Sequence, residues 1–104
     1  MSRRASRVDV NQVDVVDALR AVGCFVQSLA AIGKGCPDLL VAIPARGGRQ
    51  PTPARWIVIE VKDGSLPSSA RRLTGPQKAW HREAVAPVHI ANNVDEALMI
   101  VGAR

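Results

Sequence analysis

The chain has 104 residues, 47% apolar and 22% charged, with fourteen Lys and Arg against nine Asp and Glu for a net charge of +5. That balance excludes a disordered polyelectrolyte, and no apolar run approaches the ~20 residues that span a bilayer. It suits one soluble globular domain over 1–104, large enough for a core but not for two. Phe25, Trp56 and Trp80 are the full set of aromatics, so the core must come from Val, Leu, Ile and Ala. Eleven of the fourteen cationic residues are Arg, the side chain suited to bidentate contact with phosphate. Cys24 and Cys36 lack the paired short spacing of a zinc site and read most simply as free thiols.

In chain order, Met1 to Arg7 is basic with no apolar segment behind it, which is not a secretory signal; residues 1–8 are expected to form a flexible basic arm. Asp9 or Asn11 can cap a first helix running to about Val22, with Val13, Val16, Leu19 and Ala18 or Val22 as its apolar stripe and Gly23 as its stop. Cys24 to Leu29 reads as a short strand, and Ala31 to Gly35 as a turn. Pro37 introduces a second strand, Asp38 to Ile43. Pro44 to Ala54 is a Gly-, Pro- and Arg-rich loop. Trp56 to Lys62 is the most apolar strand, expected at the centre and covered on both faces. Asp63 to Ser69 is loop, and a second helix opens at Thr74 and runs to about Ala84. Pro87 to Ala91 is a fourth strand. Asn93 or Asn92 caps a last helix, with Glu96 placed to close a capping box on Asn93. The order is α-β-β-β-α-β-α, and the helix between strands three and four predicts a parallel crossover.

Within the third strand, Glu60 and Lys62 project from one face and Ile59 and Val61 from the other. Charges inside such a run call for a partner or a metal. Taken alone, Glu60-x-Lys62 reads as an ion pair on a solvated face, with Asp38 capping a turn after Pro37. If strands two and three form a hairpin, however, Asp38 and Glu60 converge at one edge beside Lys62. Two carboxylates with an open face suit Mg²⁺ or Mn²⁺, which keep waters and borrow oxygens from a phosphate. Lys62 would then orient a water or neutralise developing charge.

The same residues carry a family resemblance. Pro37-Asp38, followed by Glu60-Val61-Lys62, resembles the Pro-Asp…(Asp/Glu)-x-Lys signature of the restriction-endonuclease-like nuclease superfamily. Four stretches together resemble its small VRR-NUC-type, often phage-encoded members: Asn11 to Arg20, Gly35 to Leu40, Ile59 to Gly64, and Leu73 to His81. The resemblance implies a mixed central sheet flanked by helices and a metal-dependent DNA endonuclease in a bacterial or phage-infected cytoplasm. It implies Asp38 and Glu60 as metal ligands, Lys62 as the catalytic lysine and Gln77 as a further catalytic residue. Asp14, with Asp17 one turn on, matches the place of a helix acid that adds to the metal site, although the family residue is usually the longer Glu. Gln77 is equally explained by a capping box with Thr74.

Arg46, Arg49, Arg71, Arg72 and Lys78 are the expected phosphate contacts, in a DNA complex that weakens with salt. Ser65, Ser68 and Ser69 lead into that second basic cluster. His81 and His89, and Trp56 and Trp80, read as ordinary helix, strand, core or interface residues. With no separate sequence-reading domain, selectivity is expected for branched or junction DNA, and cutting two strands calls for a homodimer. The rival readings are a non-catalytic DNA-binding or assembly module on the same fold, and an RNA-directed nuclease.

Overall fold

The computed structural model of the chain describes residues 6–104, with side chains from Asn11 onward. Of the expected flexible arm over 1–8, residues 6–8 are helical instead, and the rest, including Arg3 and Arg4, lies outside the described residues. Helix α1 spans Ser6–Ala21, so it starts before either expected cap. Asn11 is inside the helix and sends its side chain elsewhere. Strands β1 (Phe25–Ser28), β2 (Leu39–Ile43) and β3 (Arg55–Val61) follow as an antiparallel meander. A short 3₁₀ helix (Ser68–Arg71) and helix α2 (Gly75–Glu83) then lead to β4 (His89–Ala91), which pairs parallel to β3. Helix α3 (Val94–Ile100) closes the described chain. The result is an α/β fold with a mixed sheet in the order β1-β2-β3-β4. The parallel pair joined through α2 matches the crossover the element order predicts. No helix among the described residues is long and apolar enough to cross a membrane.

Strand alternation gives the sheet two unlike faces. One carries Val26, Leu39, Val41, Ile43, Ile59, Val61 and Ala91, all buried against α1 and α3. On α1 the residues that enter this core are Val15 and Leu19, both with no exposed surface, supported by Val16 and Val22. Val13 was expected in the stripe and is instead 54% exposed. At 100° per residue, a face centred on the pair four apart at 15 and 19 turns position 13 outward.

The other face carries Phe25, Leu40, Ala42, Trp56, Val58 and Glu60. Here the expectation of a strand covered on both sides fails for the first half of β3. Helix α2 has no buried residue, and Trp56 is 63% exposed. Coverage improves only toward the end of β3, where Glu60 is 3% exposed.

Both caps form, with one difference of detail. Thr74 and Gln77 make a reciprocal capping box at the start of α2. At α3, the Asn93 side chain accepts from the Glu96 amide (2.8 Å), as expected. The Glu96 carboxylate does not return to Asn93. It accepts from the backbone and side-chain amides of Asn92, both at 2.8 Å, because Asn93 is fully extended (φ −163°, ψ 177°) and the amide within reach is one residue earlier.

Candidate active site at the end of the central strand

The hairpin register places Leu39 opposite Ile59, so the next pair outward is Asp38 and Glu60. The Asp38 backbone is fixed by a hydrogen bond that the Leu29 amide donates to its carbonyl (2.8 Å). Its side chain is fixed by the Val61 amide, which donates to Oδ2 at 2.7 Å. Asp38 therefore bridges two strand ends and does more than cap a turn. Lys62 is held from both sides: its amide donates to the Ala91 carbonyl (2.9 Å), and its carbonyl accepts from Asn11 Nδ2 at 2.6 Å. That last bond is why α1 carries an asparagine at this position, a role the sequence pattern did not suggest.

Gln77 ties the charges together. Its Nε2 donates to Glu60 Oε2 (2.9 Å), while its Oε1 accepts from Lys62 Nζ (3.0 Å) and from the Thr74 amide (2.9 Å). Lys62 Nζ lies 3.6 Å from the same Glu60 oxygen. The capping role and the site role of Gln77 are thus one geometry: the side chain that closes the helix N-terminus also bridges acid and lysine. Gly35 makes this approach possible. A Cβ there would sit 2.2 Å from the Pro76 carbonyl oxygen, and its φ of +82° favours glycine independently.

Burial, and then the charge of Asp38, raise the Glu60 carboxyl from 4.5 to about 7, against an opposing pull from Lys62. Glu60 Oε1 is buried with no hydrogen-bond partner. The neighbouring Cys36 thiol is also pushed up, by burial and then by Glu60 and Asp38; Cys24 and Cys36 are both free. Asp38, Glu60, Lys62 and Gln77 line one cleft of about 270 Å³ together with Asp63, Leu66 and Ala70. Asp63 is buried, and its Oδ1 accepts from the amide and hydroxyl of Ser65. This acid was read from sequence only as the start of a loop. The adjacent Gly64 holds the turn close to Asn92, whose carbonyl oxygen a Cβ there would approach to 2.5 Å.

Other expected residues distribute unevenly. Asp14 and Asp17 are exposed on α1, and neither lines the cleft. Arg71 and Arg72 follow the cleft wall at Ala70; Arg71 is half-buried, its Nε donating to the Leu66 carbonyl (2.9 Å), and Arg72 is exposed. Lys78 is exposed on α2. Arg46 and Arg49 lie in the β2–β3 loop, beyond the Ile43–Arg55 pair and so at the opposite end of the sheet. Arg46 is half-buried, its backbone paired with Thr52. His81 and His89 are half-buried and outside the cleft lining.

For a divalent cation, the donor set is two carboxylates. Among the described residues no group of three His, Cys, Asp or Glu side chains is arranged to hold a metal. The pair nevertheless fits a hard cation that retains most of its waters, since Glu60 Oε1 is a buried acceptor without a donor and Asp38 adds a second negative charge. Comparison of the chain with family models, with curated proteins and with solved structures returns no match.

Proposed function

We propose that the chain is a metal-dependent nuclease of the restriction-endonuclease-like, VRR-NUC type, cleaving DNA phosphodiester bonds at the Asp38–Glu60–Lys62 cleft. The observation that carries this reading is the buried, unpartnered Glu60 oxygen facing Asp38, with a lysine two residues on held by Gln77. A carboxyl raised to about 7 by burial and by Asp38, against the pull of Lys62 3.6 Å away, is what a cation-binding acid should display before the cation arrives. Asp38 and Glu60 would hold Mg²⁺ or Mn²⁺, and the ion would supply a polarised water and a counter-charge for the phosphate. Asp14 is left out of the ligand set because it is exposed and off the cleft.

The chain's own residues do the rest. Lys62 Nζ has one donor engaged by Gln77 and presents the remainder toward an anionic oxygen. Gln77 sets the position of that ammonium and keeps it from collapsing wholly onto Glu60. Arg72 and Lys78, exposed beside the cleft, contact flanking phosphates. Each protomer carries one such cleft, so cutting both arms of a duplex or junction would take a pair of protomers.

The test is incubation of linear, nicked and four-way-junction DNA, and of RNA, with Mg²⁺ or Mn²⁺. Wild type should cut DNA only with metal, and Lys62→Ala should lose roughly 100-fold or more in rate, the scale of losing one charge-stabilising donor. Binding without metal-dependent cutting would instead establish a non-catalytic DNA-binding module, and equal cutting by the variant would sink the assignment of cleavage to this site.

A further inference from the structure

The backbone at Lys62 is held by a helix from the other side of the sheet. The parallel pair of β3 and β4 ends at Val61 and Ala91, and the Lys62 amide closes it by donating to the Ala91 carbonyl (2.9 Å). In a continuing parallel ladder the partner strand would next donate an amide to the Lys62 carbonyl. Here β4 stops at Ala91 and the chain turns through Asn92 and Asn93 into α3, so no strand residue is left to donate. The donor comes instead from Asn11, half-buried on α1, whose Nδ2 lies 2.6 Å from that carbonyl.

The peptide fixed in this way joins two residues of the cleft. Lys62 precedes it and Asp63 follows it, and both side chains line the cleft with Asp38, Glu60 and Gln77. Because the peptide is a rigid plane, its rotation changes ψ of Lys62 and φ of Asp63 together and re-aims both side chains. Lys62 is the more sensitive, since its charge sits at the end of a flexible four-carbon stem. At the far end Nζ donates to Gln77 Oε1 (3.0 Å) and lies 3.6 Å from Glu60 Oε2. The side chain is thus strung between two helices, with α2 holding the ammonium and α1 the backbone. Gln77 alone fixes the tip and leaves the root of the stem free to turn.

We propose that Asn11 is a positioning residue for Lys62, setting the direction in which the ammonium enters the cleft by holding the Lys62–Asp63 peptide. The catalytic consequence rests on the nuclease reading, while the hold on Lys62 does not. Asn11 itself is outside the cleft lining, so it acts only through the lysine. A displacement of about 1 Å at a catalytic group costs on the order of 100-fold in rate. Asp38 keeps its own anchor on the Val61 amide, so loss of Asn11 should reduce turnover more than substrate or cation binding.

Two measurements test this, and one is independent of cleavage. Lys34, Lys62 and Lys78 are the chain's lysines, and Lys34 and Lys78 are exposed while Lys62 is not. The Nζ resonances of isotope-labelled lysine should therefore separate one hydrogen-bonded ammonium from two solvated ones. Asn11→Ala should move that resonance toward the solvated pair. Asn11→Asp, with an acceptor in place of the donor, should do the same, and Asn11→Gln, which keeps the amide, should restore it in large part. In the cleavage assay Asn11→Ala should lower kcat about 10- to 100-fold with KM changed less than about twofold, and Asn11→Gln should recover most of the loss. Leu19→Ala, which loosens α1 about two turns away, is the control and should leave both readouts at wild-type values in the folded protein. Circular dichroism checks folding, and if the alanine variant does not fold, Asn11→Asp against Asn11→Gln makes the same comparison. An unmoved Lys62 resonance, equal changes from Leu19→Ala, or a moved resonance with unchanged kcat overturns the proposal and leaves Asn11 as a staple for α1. A wild type that does not cut DNA while the resonance responds as expected overturns only the nuclease reading.

Discussion

The two faces of the sheet are built from the same four strands and have opposite chemistry. Toward α1 and α3 the face is dry and aliphatic, with Leu39, Val41 and Ile59 without exposed surface. Toward α2 it carries the acids, the lysine and the aromatics. The first face supplies stability, since burying aliphatic surface contributes about 25 cal/mol per Å² and asks for no partner. The second cannot be explained that way. A buried acid with a raised pKa and an unpaired oxygen costs stability, and exposed indole does little for the fold. Destabilising features confined to one face of an otherwise well-packed sheet indicate binding work, and the separation can be broken or sharpened by substitution on each side.

The largest expected effect on stability is on the dry face. Leu19 is fully enclosed between α1 and the sheet, and Leu19→Ala should cost about 2–5 kcal/mol through lost burial and the cavity left behind. Measured by urea unfolding, that loss should leave the cleavage rate per folded molecule unchanged. A comparable rate defect at temperatures where the variant is folded would show that the two faces are coupled.

On the wet face the effect should have the opposite sign. Glu60 is ordinarily ionised above 4.5, and the fold raises it to about 7. The stabilisation that comes from a protonated Glu60 is therefore fully present below about pH 4.5 and lost as pH rises through 7. Glu60→Gln keeps the neutral form at every pH. It should be more stable than wild type by roughly 3 kcal/mol at pH 8, with the advantage shrinking toward acid. Adding Mn²⁺ should raise the wild-type melting temperature at pH 8, and less so at pH 6 where Glu60 holds its proton. The Gln variant should not respond. A variant less stable than wild type at pH 8 without metal would mean that Glu60 is there as a structural ion pair to Lys62.

Much of this division could be read from sequence, and the misses have physical causes. The alternation in Ile59 to Lys62 placed Glu60 and Lys62 opposite Ile59 and Val61, and the Thr74-x-x-Gln77 spacing located both the start of α2 and the side chain at its tip. The strand pairing that brings Asp38 against Glu60 follows from hairpin geometry once β2 and β3 are recognised. The α1 stripe was misplaced by its phase, because a helix with apolar residues at 13, 15, 16, 19 and 22 admits two faces and only packing against β1 and α3 chooses Val15 over Val13. Asn11 was read as a cap, yet it bonds a carbonyl fifty-one residues away, a contact no local pattern encodes. The arginines were pooled as one basic surface, and only the register separates Arg46 and Arg49 from the cleft.

That separation yields the smallest and most discriminating difference. Arg72 stands beside the cleft, and Arg49 in the loop beyond the Ile43–Arg55 pair. From Glu60 to the hairpin end of β3 is five residues, about 17 Å. A strand lying in the cleft and running along β3 reaches Arg49 only if it extends several nucleotides past the bound phosphate, at most about five at the ~3.4 Å rise of a stacked strand. Arg72→Ala should therefore weaken short and long single strands alike and lower the salt slope of binding by about one phosphate contact. Arg49→Ala should leave short strands unaffected and weaken only long ones. The measurement is anisotropy across a length series at several salt concentrations. Equal effects of the two substitutions at every length would mean that the bound strand does not follow β3.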